Sequence, residues 1–146
     1  MQRVPAEKDV TDLDLAIDAA RELGARSLTV TGVLGGRFDH SLAALGSLKR
    51  AADLRPMIAE PGMEGWLLSV DARAGVDVTG RGGETISLLA LSDAVVSSSG
   101  VRYPLTARQL PALSSLGISN VVEEDTAHVE LQSGVLLVLL ILEHDA

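Results

Sequence analysis

Five residues capable of ligand binding or chemistry lie within six positions of the chain: Gly35, Gly36, Arg37, Asp39 and His40. They follow the apolar segment SLTVT and precede a segment with helical periodicity. Glycines let a backbone approach a ligand closely and adopt positive φ, and the planar fork of an arginine matches phosphate oxygens. A glycine turn between a strand and a helix start is a natural anion site. The spacing fits neither G-x-G-x-x-G nor the Walker loop. The pattern therefore predicts an anion site or, alternatively, a tight turn with Asp39 capping the helix.

His40 has two interpretations. In the first turn of a helix its imidazole could act as an acid, a base or a phosphate ligand, but a histidine in this position is more often a polar surface residue. The three histidines of the sequence have no spacing typical of zinc ligands.

A second polar cluster precedes the first predicted helix. Asp9 and Asp12 are three residues apart at the helix start, with Lys8 and Thr11 beside them. Oxygen ligands of this kind suit Mg²⁺, which is usually held by one or two carboxylates together with substrate phosphates. The alternative is an ordinary helix cap with a solvated first turn.

A third set of polar residues lies in the C-terminal half. Tyr103 stands among small residues, where its flat ring could stack on a heteroaromatic ligand or belong to the core with its hydroxyl bonded. Ser119 and Asn120 offer groups that could recognise ring nitrogens or could simply make a turn.

The composition limits the kinds of partner. Of the 146 residues, 47% are hydrophobic but only 2% are aromatic, which predicts an aliphatic core. The formal net charge of −8 argues against nucleic acid and against an anionic membrane surface as partners.

The sequence has no cysteine for disulfides or thiolate chemistry, and its polar N-terminus does not resemble a signal peptide. The apolar run at residues 134–142 is much shorter than the roughly 20 residues of a membrane span. We therefore expect a buried strand there and a cytoplasmic protein.

Hydrophobic periodicity predicts two kinds of structure along the chain. The segment TDLDLAIDAARELG is amphipathic, with Thr11 as its cap and Gly24 as its stop, and a second helix is expected over residues 39–52. The short strands SLTVT and PMIAE accompany these helices, so residues 1–60 are expected to belong to an α/β domain. Residues 61–146 contain short extended segments separated by turns, which predicts an antiparallel β-sandwich or barrel.

Residues 1–60 supply too few strands for a complete parallel sheet. Such a sheet needs several strands with helices on both faces, whereas this part of the sequence offers one clear strand and one weaker one. We expect a partial three-layer α/β domain whose upstream strands lie outside the chain.

Together, these motifs resemble the thiamine pyrophosphokinase family. The segments that carry the resemblance occur in the family's order: EKDVTDLDLAI, GVLGGRFDHSLAAL, TISLLAL, GVRYPL and GISN. The resemblance implies an α/β domain for nucleotide and metal and a C-terminal β-sandwich for thiamine. It also implies a homodimer whose active sites lie between the α/β domain of one subunit and the sandwich of the other. The implied reaction is Mg²⁺-dependent transfer of a pyrophosphoryl group from ATP to the thiamine hydroxyl, giving thiamine diphosphate and AMP.

The resemblance also implies roles for individual residues. Catalysis would involve Asp12, Arg37 and Asp39, with Asp39 as a base or an orienting group at the thiamine hydroxyl. The metal would be held by Asp12, with Asp9 beside it. The nucleotide phosphates would be held by Lys8, Gly35, Gly36, Arg37 and His40. The thiamine pocket would be lined by Ser119, Asn120 and Tyr103.

Two departures from the family pattern leave alternatives open. The family has a Gly-Asp-x-Asp-Ser element upstream of Lys-Asp-x-Thr-Asp, which lies outside this chain, and the chain has Ala44 where the family usually has asparagine. The protein is then either a thiamine pyrophosphokinase whose activity depends on the upstream element, or a non-catalytic module for thiamine binding or dimerisation that has lost the metal site. A third possibility is a related pyrophosphokinase that acts on another alcohol.

Overall fold

Residues 11–143, which the computed structural model describes, form two α-helices and ten β-strands. The helices are α1 (Asp12–Glu22) and α2 (Phe38–Arg50). The strands are β1 (Leu28–Val30), β2 (Pro56–Glu60), β3 (Met63–Ser69), β4 (Gly75–Thr79), β5 (Thr85–Ala90), β6 (Ala94–Ser99), β7 (Leu105–Leu110), β8 (Asn120–Val121), β9 (Thr126–Ser133) and β10 (Val135–Ile141).

Helix α1 begins where the sequence predicts, because Thr11 caps it. The backbone N–H of Asp14 donates to the Thr11 hydroxyl at 3.2 Å, and the N–H of Thr11 donates to the Asp14 carboxylate at 3.3 Å. This reciprocal pair satisfies donors that a helix start leaves unbonded. After the last turn, Gly24 adopts a φ of 81°, a conformation that glycine accepts without steric strain. The predicted cap and stop of this helix are both confirmed.

One six-stranded sheet joins the two parts of the fold. Its strand order is β1-β2-β3-β10-β5-β8, with β1 and β2 parallel and the other pairs antiparallel. Strands β2 and β3 pair across residues 61–62, so the change from α/β to antiparallel structure occurs within a continuous sheet. A second, antiparallel sheet has the order β4-β9-β6-β7. The expected partial α/β unit followed by an antiparallel sandwich is confirmed.

Aliphatic side chains from both sheets form the main core. Leu136 and Leu140 of β10 pack in one cluster with Val96 and Val129 of the second sheet, and all four are inaccessible to water. Strand β10 is the apolar run that the sequence predicts as a buried strand, and it lies between β3 and β5. The predicted aliphatic core is therefore confirmed.

Helix α2 covers the other face of the six-stranded sheet. Its residue Leu48 packs with Ile58 of β2 and Leu137 of β10. Because successive residues of a strand point to opposite faces, β10 is buried both by the helix and by the second sheet. A strand buried on both faces is expected to have a nearly continuous apolar sequence.

The Leu140→Ala substitution should lower the free energy of unfolding by about 2–5 kcal/mol, because it removes a buried side chain and leaves a cavity between the sheets. Leu140 is 0% exposed, whereas Leu42 on α2 is 52% exposed. Leu42→Ala is therefore the matched control, with an expected loss below about 1 kcal/mol. Urea unfolding followed by circular dichroism measures both values, and equal losses would contradict this assignment of the core.

The second helix differs slightly from its prediction. It begins at Phe38 and its last α-helical residue is Arg50, followed by a 3-10 turn at Ala52–Leu54, whereas the sequence predicts one helix over residues 39–52. In the described residues 11–143, no helix combines the length and apolar character needed to cross a membrane.

The segment VRYPL, one of the short extended segments expected within residues 61–146, is mostly irregular, and β7 begins only at Leu105. The side chain of Asn120 explains the difference. Its amide oxygen accepts the N–H of Tyr103 at 3.0 Å, and its amide nitrogen donates to the Tyr103 carbonyl at 2.8 Å. A side chain thus takes the hydrogen bonds that a neighbouring strand would otherwise make with Tyr103.

Candidate functional site

An open cleft of about 720 Å³ lies at the carboxyl ends of the two parallel strands. The start of α1, the loop after β1 and the first turns of α2 form its wall. Ligands of open α/β sheets bind at this position, beyond the carboxyl ends of the strands. The wall brings together four of the residues predicted from the sequence: Asp12, Gly35, Arg37 and His40.

The glycine-rich loop between β1 and α2 uses positive φ angles. Gly35 has a φ of 99° and Gly36 a φ of 65°, conformations that strain residues with a side chain. The N–H of Gly35 donates to Ser41 Oγ at 3.1 Å, which ties the loop to the first turn of α2. The loop can therefore bring its backbone and the following Arg37 close to a ligand in the cleft.

Arg37 and Asp39 form an exposed ion pair at the start of α2. Arg37 Nε and Nη2 donate to the two carboxylate oxygens of Asp39 at 3.2 and 2.7 Å, and the His40 N–H donates to the same carboxylate at 2.9 Å. The residue at the cap position of α2 is Arg37, so the alternative of a capping Asp39 is wrong.

The hydrogen bonds from Arg37 and from the His40 backbone hold the pKa of Asp39 below its ordinary value. A carboxylate with a lowered pKa is a weaker proton acceptor. Of the two predicted roles for Asp39, orienting a hydroxyl therefore fits its surroundings better than removing the proton.

Asp12 is the described residue best placed to hold a magnesium ion in the cleft. It lies in the first turn of α1 and on the cleft wall. Because Mg²⁺ keeps several waters and is usually held by one or two carboxylates plus substrate phosphates, a single carboxylate on the wall of an open cleft fits its chemistry. Residues 11–143 contain no group of three or more histidine, cysteine or acidic residues that could hold a metal by themselves. Lys8 and Asp9, the remaining predicted phosphate and metal ligands, lie outside the described residues.

The predicted thiamine-binding residues lie together, but at a different place. Asn120 belongs to β8 and holds the backbone of Tyr103 through its carboxamide, so these polar groups act within the protein itself. The ring of Tyr103 is free to meet a ligand, because this residue is 65% exposed rather than part of the core. Ser119 has a φ of 62°, and its N–H donates to Ser87 Oγ at 3.0 Å.

The cleft and the Tyr103–Asn120 cluster lie at opposite edges of the six-stranded sheet. The cleft adjoins β1 at one edge, and the cluster adjoins β8 at the other. Five interstrand spacings of about 4.8 Å separate these edges by roughly 24 Å. One chain therefore does not bring the two predicted sets of residues into a single site.

Glu60, which no sequence motif singles out, binds the loop that carries the cleft residues. Its carboxylate accepts the N–H groups of Gly32, Val33 and Leu34 at 3.1, 2.9 and 3.2 Å. A signal for it is present in the sequence, since Glu60 is the last residue of the strand PMIAE. Because β2 runs parallel to β1, an acidic residue at its carboxyl end can meet the loop that follows β1.

Partial burial alone would raise the pKa of Glu60, but the N–H donors of Leu34, Gly32 and Val33 outweigh it and hold the pKa below its ordinary value. Glu60 therefore stabilises the fold above its unfolded pKa of about 4.3, and this contribution is lost as the pH falls through the lower folded value.

Glu60→Gln should melt at a lower temperature than the wild type at pH 7, and the difference should shrink below about pH 4. Thermal unfolding between about pH 3 and pH 7 measures this difference in melting temperature. A difference that is independent of pH would exclude a contribution from the carboxylate charge.

Two sequence models of known families match the chain. Residues 1–59 match "Thiamin pyrophosphokinase, catalytic domain", and residues 73–136 match "Thiamin pyrophosphokinase, vitamin B1 binding domain". The chain belongs to the thiamine pyrophosphokinase family. The cleft lies within the range matched by the catalytic model, and the Tyr103–Asn120 cluster lies within the range matched by the vitamin B1 model.

Individual thiamine pyrophosphokinases show the same likeness. Thiamine pyrophosphokinase 2 of Arabidopsis thaliana is 28% identical over 139 residues, which cover 89% of this chain and 52% of that protein. The thiamin pyrophosphokinase structure from Geobacillus thermodenitrificans has 27% identity and a TM-score of 0.78, covering 97% of this chain and 66% of that one. The structure from Bacillus subtilis shares the fold, with 24% identity, a TM-score of 0.80, and coverage of 94% and 65%. The chain thus spans about half the length of the curated relative.

Proposed function

We propose that this protein transfers a pyrophosphoryl group from ATP to the hydroxyl of thiamine, giving thiamine diphosphate and AMP. The observation that carries the proposal is the cleft, where Asp12 and Arg37 meet beside a glycine-rich loop within the range matched by the catalytic family model. In this reaction the thiamine oxygen forms a bond to the β-phosphorus of ATP. The bond from that phosphorus to the oxygen shared with the α-phosphate breaks, AMP leaves with the electron pair, and the proton of the hydroxyl is released to solvent.

The chain's own residues supply positioning and charge neutralisation, which are the main needs of phosphoryl-type transfer. Arg37 binds phosphate oxygens through its guanidinium fork, and His40 lies on the same wall. Asp39 orients the thiamine hydroxyl. Asp12 holds Mg²⁺, which when bound offsets the charge of the polyphosphate. Lys8 and Asp9 complete the predicted set of phosphate and metal ligands.

We propose that the active site forms between two copies of the chain. The distance across the sheet keeps the cleft of one copy away from its own Tyr103–Asn120 cluster, so each thiamine must meet the cleft of another copy. Exposed apolar side chains in the segment between β7 and β8 support contact with a second copy: Leu113, Leu116 and Ile118. Tyr103 would stack on thiamine there, with Ser119 beside it.

This arrangement divides the chain by role. Residues 1–60 bind nucleotide and metal, and residues 61–146 bind thiamine and form the homodimer. A cytoplasmic location completes the proposal.

A coupled assay for AMP formation from thiamine, ATP and Mg²⁺ tests the function. With the upstream Gly-Asp-x-Asp-Ser element present, we expect turnover that requires all three and stops when EDTA removes the metal. A folded protein that binds thiamine but neither binds Mg·ATP nor forms AMP would instead be a binding or dimerisation module. AMP formation with another alcohol in preference to thiamine would identify a related pyrophosphokinase.

A further inference from the structure

Glu60 occupies the anion-binding half of the glycine-rich loop. Three successive N–H groups, from Gly32 to Leu34, converge on its carboxylate at 2.9–3.2 Å. Successive backbone N–H groups that converge in this way form a concave anion site. Because a carboxylate of the chain itself fills that site, phosphate oxygens must be held by the second half of the loop, which includes Gly35 and Arg37.

We propose that Glu60 is a positioning residue that sets the second half of this loop against the nucleotide phosphates. The role rests on the proposed function, but the contacts that suggest it do not. Glu60 anchors the loop to the end of β2, and Ser41 anchors Gly35 to α2 at 3.1 Å. Arg37 follows the anchored residues 32–35 directly. Its position at the cleft wall therefore depends on the path of the loop.

The loop needs such anchors because of its glycines. Gly35 and Gly36 have more accessible backbone conformations than other residues, so the unanchored loop would sample many of them. Bonds from backbone N–H groups to a carboxylate are stronger than those to a neutral acceptor. Glutamine at position 60 keeps the size of the side chain but carries no charge. One end of its amide is an N–H₂ group, which cannot accept hydrogen bonds from the loop N–H groups.

The chain carrying Glu60→Gln tests the proposal, with Glu64→Gln as the matched control. Glu64 lies on the adjacent strand β3, is partly buried like Glu60, and pairs with Arg81 at 3.5 Å rather than with the loop. Calorimetric titration with Mg·ATP and with thiamine gives both affinities, and amide hydrogen exchange reports on the loop.

We expect Glu60→Gln to weaken Mg·ATP binding about tenfold, because binding must then order a loop that has lost a charge-assisted anchor worth about that factor. Thiamine affinity should change far less, because the thiamine ring binds the Tyr103–Asn120 cluster, and the carboxylate of Glu60 accepts its hydrogen bonds from Gly32, Val33 and Leu34. Exchange of the Gly32, Val33 and Leu34 amides should accelerate, and Glu64→Gln should match the wild type in all three measurements. Glu60→Asp, which keeps the charge, should fall between the wild type and Glu60→Gln.

Unchanged Mg·ATP affinity in Glu60→Gln would overturn the role of Glu60 while leaving the proposed function intact. Equal losses of Mg·ATP and thiamine affinity would reduce Glu60 to a structural residue. A folded wild type that binds no Mg·ATP would overturn the proposed function and this role together. If Glu60→Gln does not fold, Ser41→Ala releases the other anchor and must also weaken Mg·ATP binding selectively.

Discussion

Replacing Arg37 with glutamine should lower kcat/KM for Mg·ATP at least about a hundredfold, because a positioned cation that meets charge developing in the transition state contributes at least that much. The fold should be unaffected. Arg37 and Asp39 have side-chain exposures of 71% and 64%, and an ion pair this exposed adds little stability. The rate of AMP formation at varied Mg·ATP concentration measures the effect, and the melting temperature monitors the fold.

Arg21→Gln is the matched control for this substitution. Arg21 also donates to a carboxylate through two nitrogens, at 2.5 and 2.8 Å from Asp53, but it lies in the last turn of α1 rather than on the cleft wall. Its variant should keep the wild-type rate. Arg37→Lys should be intermediate at best, because an ammonium group lacks the planar fork. Full activity of Arg37→Gln would remove Arg37 from the proposed mechanism.

Two inactive variants should restore activity when mixed. In a homodimer with shared sites, Arg37→Gln disables the cleft and Asn120→Ala disables the thiamine pocket, since Asn120 holds the backbone of Tyr103. After subunit exchange about half of the dimers are mixed, and each mixed dimer has one intact site. We therefore expect about a quarter of wild-type activity from an equal mixture.

A second mixture provides the control for this experiment. Arg37→Gln and Asp12→Asn both damage the cleft, so every site in their mixed dimers carries one defect and no activity should return. The rate of AMP formation before and after exchange measures both mixtures. Failure of the first mixture to recover, with exchange shown by native mass spectrometry, would mean that each chain builds its own site.

Local sequence patterns predict the individual elements well. The cap at Thr11, the stop at Gly24 and the buried strand β10 follow from residues adjacent in sequence, and the structure has all three. The cluster at Arg37 could also be found this way, because loop and helix start are contiguous. For the cap, the stop and the Arg37 cluster the decisive interactions lie within a few residues of one another, whereas β10 is recognised from its continuous apolar sequence.

The pairing of distant strands is what the sequence leaves open. Strand β10 pairs with β3 and β5, and β8 pairs with β5 at the far edge of the sheet. Short apolar strands carry little information about their partners, so the sequence alone could not show that Tyr103 lies at the opposite edge from Arg37. The contact of Glu60 with the loop does not follow from local sequence for the same reason, since it depends on β2 lying beside β1.

The segment at Tyr103 shows a further limit. Its alternation resembles a strand, but the carboxamide of Asn120, 17 residues away, takes the backbone hydrogen bonds of Tyr103. A side chain that replaces a strand in this way leaves no trace in hydrophobic periodicity. Asn120 therefore has a structural role, holding the backbone of Tyr103, in addition to its predicted role of recognising a ligand ring.

A crystal structure with Mg²⁺, thiamine and a non-hydrolysable ATP analogue would test the proposed site most directly. We expect phosphate oxygens within about 3 Å of the Arg37 guanidinium, the metal on Asp12, and thiamine against Tyr103 of the partner subunit. Nucleotide bound outside the cleft, or phosphates that contact neither Arg37 nor an ion held by Asp12, would contradict the proposed function.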